Sequence, residues 1–258
     1  MVSTEPTQQK SSRKTGAVQK AGAGRTKLDP SRRRTGVAAF WHSNIGKKIV
    51  MAWTGIIMLV YLLAHMAGNL KIFFGAEDLD NYAHWLRTVG EPVLHGAWFL
   101  WISRAVLLVA LGLHIVAAAQ LSRRDQKARP VKYVGGGRAK ASFATHTMRW
   151  GGIVLGLFIV WHILDLTAGV VHPDFVEGDV YRNVTDDFQI WWVNVIYIAA
   201  MVALGFHINH GFWSASQTLG INSAAKDKAI KAIGTTLALV ISLGFIAVPV
   251  AVMTGITR

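Results

Sequence analysis

The chain of 258 residues contains no cysteine. That excludes disulfides and any thiolate metal site made by this chain alone. An iron–sulfur cluster here would take its thiolates from another polypeptide. Acidic residues are scarce, 14 Asp and Glu against 27 Lys and Arg, for a formal charge of +13. Proline occurs only six times, so little interrupts long helices. Apolar runs such as GIIMLVYLLA and LALVISLGFIAV lack the period-two alternation that membrane strands require. No apolar core followed by a small-residue cleavage site stands near the start, so no signal peptide is expected. Repeat-architecture signatures are missing as well.

Long apolar stretches are abundant instead. Five of them, about 49–70, 97–120, 151–171, 191–213 and 230–253, reach the ~20 residues that carry a helix across a ~30 Å hydrocarbon core. The expected fold is all-α: a five-span transmembrane helical bundle over residues 37–258. Residues 1–36 are polar, basic and without apolar periodicity, and are expected to form a disordered cytoplasmic tail, solvated or resting on lipid headgroups. Pro92 and Gly96 mark the start of the second span, and Pro173 is expected to stop the third. Leu79, Tyr82, Ala83 and Leu86 recur at helical spacing, which predicts a short helix over 78–89 between the first two spans.

The positive charge is unevenly placed. Lys10, Arg13, Lys14, Lys20, Arg25, Lys27, Arg32, Arg33, Arg34, Lys47 and Lys48 precede the first span, and Arg123, Arg124, Lys127, Arg129, Lys132, Arg138, Lys140 and Arg149 separate the second from the third. The intervening loops hold only Lys71 and Arg87, then Arg182 among Asp174, Glu177, Asp179, Asp186 and Asp187. This positive-inside alternation predicts a cytoplasmic N-terminus and a C-terminus outside, with Trp98, Trp101, Trp191 and Trp192 as an outer aromatic belt. Nucleic acid is excluded as a partner, because the basic residues form membrane flanks rather than a folded basic face.

Four histidines lie inside four successive spans: His65, His114, His162 and His207. Ionisable or metal-ligating groups at membrane depth usually mark a function. At 1.5 Å per residue, His65 sits roughly 8 Å and His162 roughly 14 Å inside the outer boundary, while His114 and His207 sit roughly 9 Å from the inner one. The result is an outer pair and an inner pair, separated by roughly a third of the bilayer. Imidazoles from facing helices are the ligands of a bis-histidine haem, so two pairs imply two haem b groups able to pass electrons between faces. Gly68, Gly112, Gly156, Gly205 and Gly211 would let helices or a flat ring approach closely. Arg104 and Asp165, both roughly 10 Å deep, are expected to pair with each other, or to hold a propionate (Arg104) and orient His162 (Asp165). His210 follows His207 on the same helix face. With two thiolates from a partner chain, His207 and His210 would alternatively complete a Rieske-type [2Fe–2S] centre. His42 and His146 read as interfacial, and His84, His95 and His172 as solvated loop residues.

The ordered segments FWHSNIGKK, LLAHMAGNLKIF, LGLHIVAA, FIVWHILDLTAG and FHINHGFW resemble, over about residues 40–253, the five-helix, di-haem cytochrome b anchor subunit of succinate dehydrogenases and fumarate reductases. The resemblance implies a subunit of respiratory complex II in a bacterial inner membrane. It would anchor a flavoprotein and an iron–sulfur subunit at the cytoplasmic face and pass their electrons to menaquinone or ubiquinone. It further implies that His65 and His162 hold the haem far from those subunits and His114 and His207 the nearer one. Succinate itself would not be transformed in this chain. Two quinone positions are open: an inner one using His42, Ser43, Trp213 and Arg149, and an outer one using His84, Asp80 and Arg87. The inner position is favoured because the Trp41–Lys48 segment combines aromatic, imidazole, hydroxyl and cationic groups. Competing readings are a b-type cytochrome of another quinone-linked dehydrogenase, an ion or proton transporter using His, Arg and Asp, and a pure anchor.

Overall fold

The computed structural model describes residues 36–93, 95–128 and 140–257, with side chains from 148 onward in the third segment. The predicted basic tail up to residue 35, the His146 side chain and residues 129–139 between the second and third spans lie outside what is described. Eight α-helices occur among the described residues, with no strand: α1 (Gly36–His42), α2 (Asn44–Asn69), α3 (Ala76–Thr88), α4 (Trp98–Lys127), α5 (Lys140–Leu166), α6 (Val180–Asp187), α7 (Trp191–Thr218) and α8 (Asp227–Met253). Five helical segments are long and apolar enough to cross a membrane: Asn44–Phe74, Trp98–Lys127, Met148–Leu166, Trp191–Thr218 and Asp227–Met253. The first of these includes a 3-10 turn, Leu70–Phe74, at the end of α2.

The helix limits follow from local chemistry. Ser43 caps α2, its Oγ accepting from the Gly46 N–H at 2.8 Å while donating to the Phe40 carbonyl at 2.8 Å. Glu77 and Asp78 stand in the first turn of α3 and Arg87 in its last, each complementing the helix dipole. The third span ends at Leu166, not near 171 as the apolar pattern suggested, and Pro173 is not what stops it. The chain leaves the helix through Gly169 at φ 65°, and the Val170 N–H returns to the Leu164 carbonyl at 2.8 Å. A β-carbon on Gly169 would collide with the Phe175 ring. Gly169→Ala is therefore expected to cost about 1–2 kcal/mol for the left-handed backbone alone, plus displacement of Phe175. Thermal unfolding in detergent and protease cutting within 167–179 would register both. Pro249 lies inside α8 without breaking it.

The helices α2, α7 and α8 form the centre of the bundle; α4 packs on α2, and α5 on α7. Close α7–α8 packing depends on Gly205, where a β-carbon would stand 2.7 Å from Ser242 Oγ. Apolar side chains of α4 such as Trp98, Trp101, Leu108 and Val109 are exposed, as lipid-facing positions are. One end of the bundle is acidic and structured. There α3 packs on α6, and Asp80 Oδ1 accepts from the Val180 and Tyr181 N–H groups at 2.9 and 3.0 Å. At the opposite, basic end, Arg124 Nη1 donates to the His42 carbonyl at 3.0 Å and to Asn44 Oδ1 at 2.6 Å. That contact ties the end of α4 to the α1–α2 junction.

Candidate functional site

The four intramembrane imidazoles meet in the expected pairs. His65 on α2 faces His162 on α5 with ring centroids 5.9 Å apart, and His114 on α4 faces His207 on α7 at 6.2 Å. Each ring is half-buried. Two imidazoles that shared one metal ion through bonds of about 2.0–2.1 Å would have ring centres about 6 Å apart. Both pairs stand close to that value. Tyr197 is level with His162, and ten positions separate it from His207 along α7. The two pairs are thus about 15 Å apart, nearer half of a ~30 Å core than a third.

Hydrogen bonds orient two of the rings. His114 Nδ1 is 3.1 Å from the Met51 carbonyl and 3.1 Å from Thr54 Oγ1, an arrangement that makes Nδ1 the protonated nitrogen and leaves Nε2 for a ligand. On the other pair, the Tyr197 hydroxyl donates to Asp165 Oδ2 at 2.8 Å, and its oxygen lies 3.2 Å from His162 Nδ1. Asp165 thus bears on His162 through Tyr197, not directly. Around His65 the neighbours are rings: Tyr61 stacked at 5.3 Å and Phe245 at 5.6 Å. His207 Nδ1 is buried and has no hydrogen-bond partner among the described residues. Opposite the inner pair, a β-carbon at Gly55 would stand 3.5 Å from the His114 ring and one at Gly152 4.0 Å from His207.

The five glycines singled out by sequence divide by role. Gly68 abuts Tyr82 and Gly205 abuts Ser242, whereas a β-carbon at Gly112, Gly156 or Gly211 would meet nothing within 4 Å. The latter three leave room beside the histidine-bearing helices rather than sealing helix contacts. A groove of about 350 Å³ also runs between α2 and α4, lined by Thr54, Ile57, Ala105, Val106, Val109, Ala110 and Leu113. It is apolar and borders His114 through Thr54.

Arg104 departs from expectation. It is exposed, with its guanidinium 5.0 Å from the Trp101 ring centre, and it does not pair with Asp165. Its helix packs on α2, whereas Asp165 ends a helix that packs on α7. Arg104 is still within electrostatic reach of Tyr61, the residue stacked on His65. His210 has its ring contact with Trp213, at 6.0 Å.

Among the quinone candidates, Ser43 is committed to capping α2, and Trp213 Nε1 donates to Asp227 Oδ1 at 2.9 Å. His42 is exposed beside Ser43, and Arg149 is half-buried near the start of the third span. At the other end Asp80 fastens α6, Arg87 donates to the Ala83 carbonyl at 3.0 Å, and His84 is exposed.

His172 corrects a second expectation. It is buried, not solvated, and lies between Asp165 and Asp187, with Nδ1 3.8 Å from an oxygen of each. Burial and the neighbouring Asp165 carboxylate push the Asp187 carboxyl up to about 7. No protein-family model, no curated protein and no solved structure matches this chain.

Proposed function

We propose that this chain is the cytochrome b membrane anchor of a succinate:quinone oxidoreductase, carrying two haems and passing electrons from a partner iron–sulfur subunit to membrane quinone. The observation that carries the reading is the pair of imidazole couples, at 5.9 and 6.2 Å between ring centres, stacked across one helical bundle. One such couple occurs readily by packing. Two at this spacing on four helices, with the Nδ1 groups of His114 and His162 engaged, favour a ligand role over a packing role.

In this reading His114 and His207 hold the haem nearer the basic end, and His65 and His162 the one nearer the acidic end. Bound haem supplies one-electron carriage; the chain supplies position and surroundings. The Met51 carbonyl fixes the His114 ring, and Tyr197 with Asp165 fixes His162. Tyr61 and Phe245 keep water from His65, and Arg104, near Tyr61, is assigned to a propionate. The open positions at Gly112, Gly156 and Gly211 would leave room for a bound haem. Flavoprotein and iron–sulfur subunits would dock at the basic end, which the positive-inside rule assigns to the cytoplasmic side, with the C-terminus outside; the family resemblance implies a bacterial inner membrane. Quinone, menaquinone or ubiquinone, is assigned to that end, with Arg149 as a donor to a carbonyl and His42 beside Ser43 as a further candidate contact. Ser43 and Trp213 would shape the site, since their hydrogen bonds are already engaged.

The Rieske alternative needs His207 and His210 on one iron, whereas the His207 ring faces His114. A transporter would instead be expected to show broken spans around a midplane site, and none of the five spans is broken. Purifying the tagged full chain from its native membrane tests the assignment. The expected partners are a subunit with bound flavin and one with iron–sulfur clusters, with succinate-dependent quinone reduction in the eluate. Recovery with a hydrogenase-type or formate-oxidising subunit would move it to another quinone-linked dehydrogenase.

A further inference from the structure

Two carboxylates and an imidazole meet at the acidic end, beyond the outer histidine pair. Asp165 comes from the last turn of α5, His172 from the loop that follows, and Asp187 from the last residue of α6. Their side chains are 2%, 3% and 5% exposed, and one ligand atom from each lies within 4.8 Å of the others. Burying two carboxylates together is costly unless positive charge or a shared proton joins them. Neither forms an ion pair with Lys or Arg among the described residues; the one basic side chain beside each there is His172.

The hydrogen bonding is unfinished in a particular way. His172 Nδ1 and Asp187 Oδ2 are buried without a hydrogen-bond partner. His172 Nδ1 stands 3.8 Å from Asp165 Oδ1 and from Asp187 Oδ1, too far to donate to either. Ligand atoms around a tetrahedral ion with bonds of about 2.1 Å are about 3.4 Å apart. Small side-chain rotations would close that difference. The remaining oxygen of Asp165 already accepts from the Tyr197 hydroxyl, the kind of outer bond that orients a ligating carboxylate.

We propose that Asp165, His172 and Asp187 bind one divalent transition-metal ion, with zinc as the class representative, fastening the 167–179 loop and α6 to the ends of α5 and α7. A dication neutralises both carboxylates with the imidazole neutral. The nitrogen ligand selects zinc-class ions over magnesium or calcium, which prefer oxygen alone. The site shares none of the four intramembrane imidazoles, meets the outer pair through the Asp165–Tyr197–His162 hydrogen bonds, and does not depend on haem binding.

The test uses the full-length protein in detergent, with whatever subunits accompany it, stripped by chelator and dialysed against Zn²⁺ alone. One equivalent of Zn²⁺ is expected to bind and to raise the melting temperature. Asp187→Asn and His172→Gln should each weaken binding by ~100-fold or more, beyond the 10–100-fold typical of losing an outer-shell partner. Asp174→Asn, an exposed carboxylate in the same loop, should bind as the wild type does. Should the two site variants fail to fold, Co²⁺ added to the wild-type protein decides the matter. A tetrahedral visible spectrum displaced by Zn²⁺ supports the site. Its absence, zinc binding indifferent to both substitutions, or equal stabilisation by Ca²⁺ would overturn the assignment and leave a buried His–Asp cluster held without metal.

Discussion

His207→Ala is expected to release one of two haems and to lower succinate-to-quinone electron flow by ~100-fold or more, since losing a ligand exceeds the 10–100-fold effect of losing its outer-shell partner. The variant is informative because His207 Nδ1 makes no hydrogen bond among the described residues. Removing the ring breaks no polar contact there, so a packing role predicts a small cavity effect and an intact cofactor content. His114→Ala should lose the same haem but with an added stability cost, because its Nδ1 bonds to Met51 and Thr54 are lost too. His65→Ala should remove the other haem and spare the first. Haem per chain, measured on the purified complex for each variant, separates these outcomes.

Tyr197→Phe is the second large effect. Its hydroxyl bridges His162 Nδ1 and Asp165 Oδ2, so the substitution leaves two buried polar groups without that partner, at a cost of about 1–3 kcal/mol. His162 keeps its ring, so haem content is expected to be unchanged. What changes is its electron donation: an Nδ1–H that bonds an acceptor makes the imidazole a stronger ligand and favours the ferric state. Loss of the bond should therefore raise the midpoint potential of the outer haem and leave that of the inner haem in place. A potentiometric titration with both haems resolved would show it. Equal shifts in both, or in neither, would remove Tyr197 from this role.

The sequence made most of the bundle legible because membrane helices announce themselves by length and apolarity. Pairing of the histidines by depth was legible for the same reason, since rise per residue converts position into height. Lateral placement was not. Arg104 and Asp165 share a depth, but their helices pack on different partners, so equal height did not make them neighbours. The end of the third span was misjudged because Thr167, Ala168, Val170 and Val171 continue the apolar composition; the turn is set by Gly169. That turn in turn buries His172, which as a loop histidine beside acidic residues read as solvated. Tyr197 was missed although a signal existed: it lies ten residues before His207, at the height of His162. Asp187, in an acidic stretch, gave no sign that α6 would carry it into the interior.

The most direct measurement is a dithionite-reduced minus air-oxidised spectrum of the detergent-purified complex, with haem quantified against this chain. Two b-type haems per chain are expected, in keeping with one at each imidazole pair. A protein without haem, with or without a Rieske-type paramagnetic signal dependent on His207 and His210, would contradict the di-haem assignment.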